Sequence, residues 1–151
     1  MLRTRLADAL KTSMKGRDSK STAALRLIMA ALKDRDIAAR SKGDRDGIAD
    51  DEILGMLQSM IKQRRESIAL YEKGGRMELA QQEAEEIAVI EEFLPEQMSA
   101  EDMAGEIDTV IKALEAASLK DMGRVMAALK EQHAGSMDFS KASALVKERL
   151  G

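Results

Sequence analysis

The chain has no cysteine, no tryptophan, a single proline and only three aromatic residues, Tyr71, Phe93 and Phe139. The missing thiol removes disulfides, thiolate nucleophiles, zinc–sulfur sites and redox switching together. The shortage of aromatics removes the stacking platforms on which single-stranded bases are held, and it argues against strands, which favour aromatic and β-branched residues. No apolar run approaches the roughly 18 residues of a membrane span. The opening MLRTRLADAL carries no continuous apolar core of the secretory type, and with the absence of cysteine it points to a cytoplasmic protein. Neither phosphate-cradling glycine pattern, GxGxxG or GxxxxGK[ST], occurs.

What is present favours helix. Ala, Leu, Met, Glu, Lys and Arg dominate the 151 residues, and these are the good helix formers. Eleven methionines add adaptable filler for helix packing. The expected class is therefore all-α: a four-helix N-terminal domain followed by a small three-helix C-terminal module.

Periodicity and stop signals divide the chain. A first helix spans about residues 1–15, with Leu2, Leu6, Leu10 and Met14 at a four-residue step and Gly16 as its end. A second runs from Ser19 or Ser21 to Arg40 on a stripe of Leu25, Ile28, Ala31 and Leu32, followed by the loop SKGDRDG. A third starts near Asp50, placed to cap it, and carries Ile53, Leu57, Met60, Ile61, Ile68 and Tyr71 to the break at Gly74-Gly75. A fourth covers about Met77–Phe93, with Leu79, Ala80, Ile87, Ile90 and Leu94 inward, and stops before Pro95. Three shorter helices follow. Ser99 and Ser118 each have an Asp three residues on, as in a capping box, and Asp138 can cap the last. The boundary is placed within residues 95–99, giving domains of residues 1–96 and 97–151.

Charge is uneven. Residues 1–45 carry a net +7, residues 46–98 a net −8 and residues 99–151 a net −2. A chain of overall −3 is not a general nucleic-acid binder. The basic first third can form a local patch, or its charges can meet the acids of the middle third. His133, the lone histidine, follows the sixth helix, where its charge would suit the helix dipole. Without a nucleophile to pair it with, no catalytic residue is assigned. Glu83, Glu85, Glu86, Glu91 and Glu92 read as an acidic face; a di-iron site would need Glu-x-x-His motifs on facing helices. No metal and no cofactor is expected.

Two charges lie within apolar stripes. Arg64 shares a face with Leu57, Met60, Ile68 and Tyr71, and Glu83 lies in line with Leu79, Ile87 and Ile90. They are expected to face each other as a structural ion pair, a binding pocket being the other reading.

Several of these residues recur in a known pattern. Arg26 and Leu27; Lys62, Arg64, Glu66, Ser67 and Tyr71 in KQRRESIALY; Gly75-Arg76, Leu79, Glu83 and Glu86-Ile87; Phe93-Leu94-Pro95 before QMSAED; and KDMGRVMAAL over residues 120–129 are in the order and spacing of one family. The chain resembles the GatB/YqeY family, specifically its free-standing YqeY-like proteins. The resemblance implies a helical N-terminal domain joined to a small helical module. Related modules form the tail of the tRNA-dependent amidotransferase B subunit and occur in some glutaminyl-tRNA synthetases, where they help engage tRNA without carrying the chemistry. It therefore implies a non-catalytic, tRNA-associated accessory role, with tRNA or the aminoacylation and transamidation machinery as partner. The alternatives are a protein–protein adaptor without RNA contact, or the carbon–nitrogen ligase activity, with glutamine as amido-N donor, that the family label carries. No DNA and no membrane partner is expected, and the oligomeric state stays open. The candidate RNA-binding residues are Lys120, Gly123, Arg124 and Lys130: the cations are expected on one side of the sixth helix, Gly123 leaves backbone open to a phosphate, and the helix start at Ser118 offers amides. The alternative is that Gly123 admits a neighbouring helix while the cations are solvated.

Overall fold

The computed structural model describes residues 1–151, and every regular element in it is helical. The order is α1 (Leu2–Lys15), α2 (Ser19–Ser41), α3 (Asp50–Lys73), α4 (Met77–Glu91), α5 (Ala100–Ala113), a 3₁₀ turn (Leu119–Asp121), α6 (Met122–His133) and α7 (Phe139–Leu150). The protein is all-α. It divides into two compact units, Met1–Leu94 and Pro95–Gly151. No helix is long and apolar enough to cross a membrane.

In the first unit α3 and α4 form the most extensively packed hairpin, α1 lies on α2, and α2 closes on α4. Leu6, Ile28, Leu32, Ile53, Met56, Leu57 and Ile90 are fully buried at its centre, each such side chain contributing about 1.5–3 kcal/mol by burial. The ring of Phe93 is buried as well, with the Arg5 guanidinium 5.6 Å from its centroid.

The α1 stripe departs from expectation at its end. Leu2 and Leu6 are buried, Leu10 is half-buried, and Met14 is exposed. A strict four-residue step overshoots a turn of about 3.6 residues, so the stripe rotates until Ser13 rather than Met14 faces inward. The Ser13 hydroxyl is satisfied there by the Leu10 carbonyl (2.9 Å) and the Thr22 hydroxyl (2.8 Å). Asp50 also acts differently from the expected cap. Ala49 occupies the N-cap of α3, and the Asp50 carboxylate instead accepts the Leu2 N–H at the start of α1 (3.2 Å). With Asp51 and Glu52 it still places negative charge in the first turn of α3, where the helix dipole favours it.

In the second unit α6 packs on α5 and α7 around Ile107, Val125, Leu129, Met137 and Val146. The segment after Pro95 belongs to it: the Met98 N–H donates to the Ser136 carbonyl (2.8 Å), and the Gln97 amide donates to the Gly135 carbonyl (2.6 Å). Ser99 accepts the Asp102 N–H (3.0 Å), and Asp138 accepts the N–H groups of Ser140 and Lys141. Ser118 and Asp121 form a reciprocal capping box, but around the 3₁₀ turn that precedes α6.

Candidate functional site

Three groups of polar side chains organise the chain, and each is positioned by its helices. The first is on the α3–α4 hairpin. Arg64 is half-buried by its place in the apolar stripe of α3, and its Nε donates to Glu86 Oε2 at 2.9 Å, with Glu83 Oε2 farther off at 3.9 Å. One more guanidinium N–H reaches the Met60 carbonyl (3.2 Å). The nearer partner is thus Glu86, three residues on from the expected Glu83, because one turn of α4 presents both carboxylates to α3. Burial together with the Glu86 charge pushes the Glu83 carboxyl up, and Arg64 offsets this only in part. The group fixes one helix against another.

The second group was not legible as a site in the sequence. Asp36 on α2 is buried, and its carboxylate is held by the Arg3 guanidinium of α1 in a two-pronged contact. Asp36 Oδ1 also accepts the Ile48 N–H (2.9 Å), while Arg3 donates to the Ile48 carbonyl (2.8 Å). Gly47 passes directly over this knot with φ +82°. The Arg3 hydrogen bond holds the Asp36 carboxyl below the usual carboxylate range, against the opposing effect of burial. The available signal was the spacing Ile28, Leu32, Asp36, which carries an acid straight along an apolar stripe.

The third group is the expected RNA-binding set. Lys120, Gly123, Arg124 and Lys130 are all exposed. They do not form one patch. Lys120 sits in the 3₁₀ turn, ahead of α6. Arg124 and Lys130 are six residues apart on α6 and so, at 3.6 residues per turn, point about 120° apart. Arg124 is already engaged by Asp121 (2.9 Å) and the Leu114 carbonyl (3.4 Å). The amides at Ser118 are occupied too, because Asp121 Oδ2 accepts from Ala117 (2.9 Å) and Ser118 (3.3 Å). These bonds hold the Asp121 carboxyl below its ordinary range. Gly123 does face open space, with nothing within 4 Å of where a Cβ would stand, so it admits no neighbouring helix.

His133 ends α6 with its Nε2 3.2 Å from Glu106 Oε2 of α5, without hydrogen-bond geometry between them. No three of the His, Asp and Glu side chains converge to hold a metal ion. Two glutamates of α4 meet cations of other helices at the surface, Glu85 with Lys20 of α2 (3.0 Å) and Glu91 with Arg65 of α3 (3.6 Å), while Glu92 is exposed without an ion pair.

The basic first third behaves otherwise. Of its twelve Lys and Arg residues only Arg3 and Lys20 have a carboxylate within ion-pair range, and only Lys20 uses an acid of the middle third. Arg26, Lys33 and Arg40 form an exposed row along α2, roughly 80–140° round the helix from the buried Leu25, Ile28 and Leu32.

In this all-helical protein the buried polar groups tie helices together, and no cluster of them forms a metal site. Residues 3–150 match the family described as "Yqey-like protein", and the chain belongs to that family. It is also similar to the uncharacterized protein C22F3.15 of Schizosaccharomyces pombe, with 29% identity over 99 residues, covering 66% of this chain and 73% of the relative.

Proposed function

We propose that this YqeY-like protein is a non-catalytic accessory module that engages tRNA alongside the aminoacylation or transamidation machinery. The observation that carries the reading is the uncompensated charge of residues 1–45, in which ten of twelve cations have no carboxylate partner although the whole chain is net −3. Concentrated positive charge attracts phosphate even on an acidic protein, because screening confines each interaction to about 8–10 Å. The aromatics support a backbone-and-shape mode over base stacking: Phe93 is buried, and Tyr71 and Phe139 are half-buried. The family's tRNA-engaging relatives supply the identity of the RNA.

A filter-binding titration of unfractionated tRNA at two salt concentrations tests this. Binding at low salt that weakens linearly in log–log form, with a slope of several units, is the expected result. No binding at low salt would leave the protein-adaptor reading in its place. That second reading is favoured by Leu70 and Met77, both strongly exposed on either side of the α3–α4 turn.

A further inference from the structure

The geometry points to the outer face of α2, through Arg26, Lys33 and Arg40, as the surface that lies against the sugar-phosphate backbone of double-helical RNA. This rests on the reading of the protein as an RNA-associated module and names the face it uses. The three cations are seven residues apart in sequence and all exposed. Seven residues are nearly two full turns, with a drift of only about 20°, so the three side chains leave the helix in one line. At about 1.5 Å per residue they stand roughly 10 Å apart along α2 and span about 20 Å in all.

What lies between them matters as much. The same face carries Ala23, Ala30 and Ile37, also exposed and also in steps of seven. The two alanines leave room for a partner's backbone to come close between long cationic stems. The inward side of the helix is anchored by Ala24, Leu25, Ile28, Leu32 and Asp36, all buried, with Asp36 one turn before Arg40, so the row is held on a rigid support rather than on a loop. No ion pair of the chain uses Arg26, Lys33 or Arg40. Arg40 is felt by the buried Asp36 at a distance, without pairing to it. The one exposed acid on α2, Asp34, is a single residue beyond Lys33 and therefore about 100° round the helix from it.

Charge and chemistry select the occupant. A partner helix docking here would need several large apolar anchors along the face, and Ile37 is the one large apolar residue among the three cations and two alanines. A polyanion needs no such anchors. A duplex is densely and uniformly charged along its backbones, so cations roughly 10 Å apart find phosphates without a fixed register. The contact reads charge and shape, without base identity. The double-helical form follows from the absence of an exposed aromatic on which an unpaired base would stack.

The test uses the full chain, with tRNA and an RNA duplex of about 16 base pairs as probes. Affinity is measured by fluorescence anisotropy between about 50 and 200 mM salt. The variants are R26Q/K33Q/R40Q, the double R26Q/K33Q that leaves Arg40 beside Asp36, and the charge-conserving R26K/K33R/R40K. Glutamine is nearly as good a helix former as Lys or Arg, and circular dichroism verifies the fold. The expected result is a salt slope reduced by about 2–3 units in the triple-Gln variant and by about 1–2 in the double. Affinity at low salt falls at least tenfold in the triple-Gln variant, and the charge-conserving variant binds as the parent does. Parent binding with an unchanged slope in both glutamine variants overturns this face while leaving the proposed function standing. No binding by the parent overturns both. Tighter binding of polyglutamate than of the duplex overturns the RNA assignment in favour of an acidic protein partner.

Discussion

Gly47 and Asp36 occupy the same small volume: a Cβ on residue 47 would stand 2.3 Å from Asp36 Oδ1. The glycine is required twice over, because its φ of +82° is also a conformation that side chains resist. Replacing Gly47 with alanine is expected to cost about 2–4 kcal/mol, roughly 1–2 of it from the left-handed backbone. In an Asp36→Ala background the clash disappears and only the backbone part remains. Chemical denaturation of the two single variants and the double variant measures this coupling. Additive effects would mean that the loop moves away from Asp36 at no cost.

The Asp36 knot also sets an acid limit. Its carboxyl is held below its ordinary value, chiefly by the Arg3 hydrogen bond, so the folded state keeps the charge that the unfolded chain gives up near pH 4. The stability it contributes is complete above that value and is lost as pH falls through the folded pKa. Asp36→Asn is therefore expected to be less stable than the parent at neutral pH and to converge on it as pH falls through the folded pKa of Asp36, below the ordinary carboxylate range. Asp18, Glu85 and Asp121 shift in the same direction, but they lie at the surface, where solvent weakens such effects. Parallel stability–pH curves for parent and variant would rule out the knot as the acid-sensitive element.

The hairpin group separates two carboxylates that the sequence pattern treats alike. Glu86 bonds Arg64 directly, whereas Glu83 is 3.9 Å away and its carboxyl is pushed up by burial and by Glu86. A group with a raised folded pKa contributes its stability below the unfolded value and loses it as pH rises through the folded one. Glu83→Gln should thus be neutral or mildly stabilising at pH 7, while Glu86→Gln should destabilise by about 1–3 kcal/mol. Arg64→Gln leaves both carboxylates facing each other and should cost the most, about 3 kcal/mol. Thermal melts at pH 7 rank the three. A loss for Glu83→Gln equal to that for Glu86→Gln would show that both carboxylates share the guanidinium evenly.

Legibility in the sequence followed the range of the interactions. The all-α class, the helices and the side-chain caps at Ser99 and Asp138 rest on local pattern, and the structure has them. What escaped depends on contacts distant in sequence. Asp36 reads as one more polar residue until Arg3 and Ile48 arrive beside it, 33 and 12 residues away. Left-handed residues escaped similarly: α1 and α5 end on Arg17 and Glu115 at positive φ, where a glycine is the expected signal. In the second unit the expected row fails first by spacing, since Arg124 and Lys130 point about 120° apart on α6, and the 3₁₀ turn started by the capping box at Ser118 sets Lys120 ahead of that helix. The α2 row needed only sequence spacing, but its exposure and its freedom from ion pairs belong to the folded chain.

The two units should differ in stability when separated between Leu94 and Pro95, the division between them. The first has fourteen buried core residues drawn from all four of its helices; the second has nine, on helices of at most fourteen residues. Helices of about 12–15 residues are marginal alone and depend on packing, and domains near 60 residues bury only about 60% of their unfolded surface. The fragment of residues 95–151 should therefore be helical but unfold at low denaturant, with a midpoint well below that of residues 1–94. Its own contacts make it cooperative nonetheless, since Gln97 and Met98 tie its first residues to Gly135 and Ser136. Trimming the second fragment to begin at Ser99 removes both ties and should lower its midpoint further. Circular dichroism with urea titration of the three fragments decides the matter. Equal midpoints for residues 95–151 and 99–151 would show that the segment after Pro95 is only a connection, and a midpoint for residues 95–151 above that of residues 1–94 would show that core size does not govern the order of unfolding.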